Sequence, residues 1–140
     1  MNNNVHPYSE KYIVKHLTKS VIQHTVKNFQ FIKGFPPSNT WIIHSNNDAI
    51  LVDSGFGDRT SFFSLKNYLS HYFPNINIHY ILLTHNHSDH SSGARQLSEI
   101  FNAKVLIHKK EKKMLKTKSD SEDIPIRFRK RRQKWEDEKI

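Results

Sequence analysis

Apolar positions recur along this chain in two different periods, and the switch between them marks out its elements. Tyr12-Ile13-Val14 and the stretch from Val21 to Ile32 are rich in β-branched and aromatic residues and suit opening strands, with a helical reading of the second left open. Gly34-Phe35-Pro36-Pro37-Ser38 reads as a turn, because glycine admits unusual backbone angles and prolines cannot donate to a sheet ladder. A hairpin from Thr40 to Asp53 follows, turning at Ser45-Asn46-Asn47-Asp48. Asp58 or Thr60 can cap a helix in which Phe62, Leu65, Leu69 and Tyr72 recur at helical spacing, a stripe expected to pack in the core, and Pro74 ends it. After an apolar run at Ile78 to Leu83, Ala94, Leu97, Ile100 and Phe101 line one face of a second helix that Asn102 can end.

The run Ile78-His79-Tyr80-Ile81-Leu82-Leu83 stops abruptly in a polar loop, Thr84-His85-Asn86-His87-Ser88-Asp89-His90. His85, His87, Asp89 and His90 place four metal-ligand side chains within six residues. A strand that ends in such a loop fixes the backbone while leaving the ligands open to water, which is how a catalytic metal site is built. Zinc accepts neutral imidazole and carboxylate without any thiolate. His85 and His87, two apart in a tight loop, can converge on one ion, whereas the adjacent Asp89 and His90 leave the backbone in different directions and suit a second. Two ions about 3.5–4 Å apart form a binuclear hydrolytic centre. Chance clustering in a chain with 10 histidines does not explain an acid set between two of them at a strand end.

The H-x-H-x-D-H run after a strand is similar to the signature of the metallo-β-lactamase superfamily. Upstream, Asn39-Thr40-Trp41-Ile42-Ile43 and Ala49-Ile50-Leu51-Val52-Asp53-Ser54-Gly55 resemble that family's early hairpin, with Asp53 at the position of the acid that ends its second strand. Downstream, Gly93 falls where the second of two glycines is usual, Ser92 stands in place of the first, and Val105-Leu106-Ile107-His108 resembles the strand after the next helix. The likeness spans residues 39–115 in the same order. It implies an α/β fold of the α+β sandwich type: the N-terminal half of a four-layer αββα architecture, with a mixed sheet and helices on one face. The alternation of strand and helix read from the pattern agrees with such layering. The resemblance also implies that Asp53 lies behind the metals and orients ligand histidines, the alternative being a turn aspartate capping Gly55. His44, His71 and His79 occupy no motif position and are not read as ligands. The resemblance implies further ligands from a second half, for which this sequence offers no obvious counterpart. After His90 the only histidine is His108, at a position not usually a ligand, and Asp120, Asp123 and Asp137 lie in highly charged surroundings.

Composition agrees with a small or incomplete domain. Hydrophobic residues make up 36% and mean hydropathy is −0.71, both on the polar side for a globular chain. A chain of this length can bury roughly 68% of its unfolded surface, enough for one core. There are no cysteines, so disulfides and thiolate zinc sites are excluded. Met1-Asn2-Asn3-Asn4 has no signal-peptide character and no segment approaches the roughly 18 apolar residues of a membrane span. A cytoplasmic protein with no membrane partner is expected. Residues 109–140 carry 13 Lys+Arg against 7 Asp+Glu, which concentrates most of the net +9 at that end. Residues 1–118 therefore read as the partial domain and 119–140 as a charged basic tail. In the tail, Arg127-Phe128-Arg129-Lys130-Arg131-Arg132-Gln133-Lys134-Trp135 interleaves bases with aromatics, a pattern able to contact nucleic acid or to form a solvated helix.

The expected function is a zinc-dependent hydrolase with two ions in a complete site. Its metal ligands are His85, His87, Asp89 and His90, Asp89 doubles as the catalytic group that orients water and relays its proton, and Asp53 lies behind. The substrate is a small molecule, with an ester, thioester or lactone marginally favoured, and a homo-oligomer is one way to complete the fold. The alternatives are a truncated inactive remnant, or a basic nucleic-acid-binding protein acting through the tail.

Overall fold

A computed structural model describes residues 12–26 and 37–119. Among these, the strands are β1 (Tyr12–His16), β2 (Val21–Val26), β3 (Asn39–Ser45), β4 (Asp48–Val52), β5 (Asn77–Leu83) and β6 (Lys104–Ile107). The helices are α1 (Arg59–Tyr72), α2 (Ser88–Ser91), α3 (Ala94–Phe101) and α4 (Lys109–Ser119). The strands form one sheet in sequence order, antiparallel from β1 to β4 and parallel from β4 through β6. Both parallel steps cross over through helices, α1 in the first and α2–α3 in the second, as parallel neighbours require. The turn expected at Gly34 to Pro36, the continuation of the second strand to Ile32 and the basic run at Arg127 to Trp135 lie outside the described residues.

One row of the ladder explains the core. Ile22 pairs with Ile42, Ile42 with Leu51, Leu51 with Ile81, and Ile81 with Val105, so five apolar side chains line up across β2 to β6 on one face. Each is at most 1% exposed. They meet Leu65 and Leu69 of α1 and Leu97 of α3, and each such burial contributes about 1.5–3 kcal/mol. The opposite face is also apolar. Val21 pairs with Ile43, Ile43 with Ile50 and Ile50 with Tyr80, while Trp41 pairs with Val52, Val52 with Leu82 and Leu82 with Leu106. On that face Ile43, Tyr80, Leu82 and Leu106 are exposed at 37%, 41%, 40% and 44%.

The helix boundaries follow local chemistry. Asp58 caps α1 by accepting from the Thr60 N–H at 3.2 Å, and the helix stops before Pro74. Asn102 ends α3 in the left-handed region at φ 51°, a conformation asparagine tolerates. The inward stripes differ from those expected: Tyr72 and Ile100 are exposed, while Ser61, Ser64 and Tyr68 of α1 and Ser98 of α3 face the core. Serine is small, and its buried hydroxyl can bond within its own helix. Ser64 donates to the Ser61 carbonyl at 3.1 Å and Ser98 to that of Arg95 at 2.8 Å, so the sheet approaches closely without leaving a polar group unsatisfied. Tyr12 and His24 stack with rings 4.6 Å apart, and Tyr68 packs against both, tilted to His24 and edge-on to Tyr12. Desolvation first, and neighbouring Tyr72 second, push the hydroxyls of Tyr12 and Tyr68 up to about 12.

Candidate metal centre

The site lies where β4 and β5 end side by side. Val52 pairs with Leu82, so the loops leaving the two strands start from adjacent points on one edge of the sheet. The first loop begins at Asp53, whose φ of 62° turns the chain sharply, and passes through Gly55 and Gly57, both at positive φ. The second loop carries His85 to His90 and winds into the single turn of α2.

The loops are fastened to each other through backbone. The Ser54 N–H and hydroxyl both donate to the His90 carbonyl at 2.8 Å, and the Gly93 N–H donates to the Gly55 carbonyl at 3.1 Å. The approach is close enough that a Cβ on Gly93 would lie 2.2 Å from the Ser54 carbonyl oxygen, and one on Gly57 2.7 Å from that of Ser92. Glycine at 93 is therefore a steric requirement, whereas Ser92 has ordinary right-handed backbone and needs none.

Asp53 lies at the centre of this junction, 1% exposed. Its carboxylate accepts from the Thr84 N–H at 2.8 Å, lies 2.9 Å from the Thr84 hydroxyl, and faces His90 Nδ1 at 2.7 Å. A carboxylate can only accept, so His90 presents Nδ1–H to Asp53, while its Nε2 points into the loop beside Asp89. Thr84 acts likewise on His85: its hydroxyl, donating to Asp53, accepts from His85 Nδ1 at 2.8 Å, leaving the His85 Nε2 lone pair available. Ligand atoms of Asp53, His85 and His90 lie within 4.8 Å of one another. Asp89 brings Oδ2 to 3.2 Å from His90 Nε2. His87 stands outside the tightest group but beside it, its ring centroid 4.7 Å from that of His85, while the His85 and His90 rings are 4.3 Å apart. Three imidazoles and a carboxylate thus gather at one strand end, with Asp53 and Thr84 orienting two of the rings, a donor set suited to a divalent metal.

The other histidines among the described residues are elsewhere. His44 packs on Phe73, His71 on Tyr72, His79 pairs with Asp48 at 2.7 Å, and His108 Nδ1 accepts from the Lys110 N–H at the start of α4. The sequence pattern gave no role to Thr84, Ser54, Asn86 or Glu111. Ser91 holds the loop from within, its hydroxyl 2.9 Å from the Asn86 carbonyl, and Glu111 reaches Asn86 from α4. Those Asn86 hydrogen bonds, side chain first and backbone second, hold the Glu111 carboxyl below the usual carboxylate range.

Comparison with known proteins agrees with this fold. The chain is 35% identical over 79 residues to the probable metallo-hydrolase YybB of Bacillus subtilis (strain 168), a match covering 56% of this chain and 34% of that one. Its fold superposes on a metallo-beta-lactamase from Pontibacter korlensis with a TM-score of 0.62 at 19% identity, covering 82% of this chain and 51% of that one. The mono-zinc form of the metallo-beta-lactamase FIM-1 from Pseudomonas aeruginosa gives 0.61 at 21% identity, covering 81% and 49%. The chain thus matches about a third of the length of the first and about half that of the other two. The family profile described as the metallo-beta-lactamase superfamily matches residues 34–139, and with the strand-end ligand loop inside that span, the chain belongs to this superfamily.

Proposed function

We propose that this chain carries the first half of a zinc-dependent hydrolase centre. The observation that supports the reading is that the His85 and His90 rings lie 4.3 Å apart at the end of β5, with Asp89 beside His90 at 3.2 Å and Asp53 against the other side of the His90 ring. Zinc is the metal we assign, in keeping with the imidazole and carboxylate donors and with the mono-zinc form of FIM-1, and two ions would occupy a complete site. His85, His87 and His90 would hold it through ring nitrogens and Asp89 through its carboxylate. Bound there, zinc supplies Lewis acidity that brings the proton loss of water into the neutral range and polarises a carbonyl or phosphoryl oxygen.

This chain's own groups do the positioning. Asp53 and Thr84 fix which nitrogen of His90 and His85 faces the loop. Asp89, half-buried beside His90, accepts a hydrogen bond from the attacking water, aims it, and passes its proton to the leaving group. A small ester, thioester or lactone is the substrate class we would assay first. The test is metal content per purified chain by plasma mass spectrometry, beside His87→Ala, followed by hydrolysis assays on the zinc-loaded protein. Near-stoichiometric zinc that falls in the variant supports the reading, and no retained zinc in the parent refutes it.

A second reading, an inactive remnant, is favoured by the exposed apolar face of the sheet. It predicts weak metal binding and aggregation through that uncovered face. A second copy of the chain covering that face and completing the site is the oligomeric form of the first reading.

A further inference from the structure

We propose that Glu111 is a positioning residue of the metal loop, and that α4 is part of the site through it. This rests on the hydrolase-centre reading and extends it to a helix whose sequence suggests only a solvated, lysine-rich face. Glu111 is the one acidic residue in Lys109–Ser119, amid six lysines. Its Oε2 nevertheless reaches across 25 positions of sequence to Asn86, accepting from the backbone N–H at 2.8 Å and from Nδ2 at 2.5 Å.

Asn86 is the residue between His85 and His87. Its N–H belongs to the peptide that leaves His85, so fixing it fixes the plane from which that side chain departs. Its carbonyl belongs to the peptide that enters His87, and the Ser91 hydroxyl lies 2.9 Å from that oxygen. The main chain between the two histidines is thereby held on both sides, from α4 and from α2. A ligand pair two residues apart has two backbone torsions per residue to order, and holding them beforehand lowers the entropy lost on binding an ion. The clamp is itself anchored, because α4 is capped by His108 at its start and buries Leu115 in the core.

Position and charge are separable here because both bonds go to one oxygen. In Glu111→Gln the amide oxygen can still accept from both Asn86 donors, while the negative charge near the histidines is gone. Glu111→Ala removes both and leaves a good helix former on a half-buried turn, so folding is retained. Two measurements on the full chain decide the matter: amide hydrogen exchange of the 84–91 loop in metal-free protein, and zinc affinity by competition with a chromophoric chelator. The expected result is faster exchange at Asn86 and His87 and about 10–100-fold weaker zinc binding in Glu111→Ala, with Glu111→Gln close to the parent in both. Unchanged loop exchange in Glu111→Ala overturns the proposal, as does a Glu111→Gln variant as impaired as Glu111→Ala, which would assign the effect to charge. If the parent binds no zinc, the hydrolase reading fails, and the exchange measurement alone still decides whether Glu111 orders the loop.

Discussion

Replacing Asp53 by asparagine tests the centre with a change of one atom. Asp53 is buried at φ 62°, a region asparagine enters as readily as aspartate, so the backbone turn survives. The hydrogen bonding does not. The two carboxylate oxygens face Thr84 N–H on one side and His90 Nδ1 on the other. An asparagine has one acceptor oxygen and one donor nitrogen, so either orientation of the amide sets a donor against a donor. With the oxygen toward Thr84, His90 can relieve the conflict only by moving its proton to Nε2, the nitrogen meant for the metal. Loss of such an orienting partner costs about 10–100-fold in metal affinity, or about 1.4–2.8 kcal/mol. Asp53→Ala adds to this. It leaves the buried partners unsatisfied at about 1–3 kcal/mol and places alanine at positive φ at about 1–2 kcal/mol more, so its cost falls on folding as well. Zinc competition titration and urea unfolding in chelator separate the effects: the asparagine variant should lose affinity with little loss of stability, the alanine variant both. An asparagine variant that binds zinc as tightly as the parent would refute the assignment of Asp53.

Gly93→Ala should be destabilising by about 1–3 kcal/mol in chelator unfolding curves, because its Cβ would sit 2.2 Å from a backbone oxygen that cannot rotate away. The displaced junction should weaken zinc binding too, since His90 is tied to Ser54 across it. The hydroxyls of Tyr12 and Tyr68, raised to about 12 against an ordinary 10.0, bind their protons more tightly in the folded state than in the unfolded one. Their contribution to stability is full below pH 10 and lost as pH rises through about 12; ultraviolet titration of tyrosinate alongside circular dichroism should show it, and Tyr68→Phe should reduce the alkaline loss. Replacing Leu82 and Leu106 together by threonine should lower self-association and hydrophobic-dye binding while leaving the core intact, read by light scattering and dye fluorescence; no change would mean that the exposed face is not what associates.

The order of elements was legible because local chemistry sets it. Among the described residues, the polar turn at Ser45-Asn46-Asn47-Asp48 marked the hairpin, the apolar run Ile78 to Leu83 marked the strand before the histidine loop, and Asp58, Pro74 and Asn102 bounded their helices as their side chains dictate. The candidate loop stood out for the same reason, since four side chains of metal-ligand type in six residues form a pattern within one short segment. The helix stripes were read imperfectly: a serine that bonds to its own helix can be buried, and an isoleucine or tyrosine beyond the sheet's reach is left exposed. The pairings across the site belong to the tertiary structure alone. Thr84 sits against Asp53 because β4 and β5 are parallel neighbours, Gly93 must lack a side chain because a separate loop crosses it, and Glu111 differs from a solvated acid only because α4 returns to Asn86. Sequence spacing encodes which side chains one turn or strand can bring together, whereas contacts across 25 to 39 positions depend on how sheet register and crossover length fold the chain back on itself.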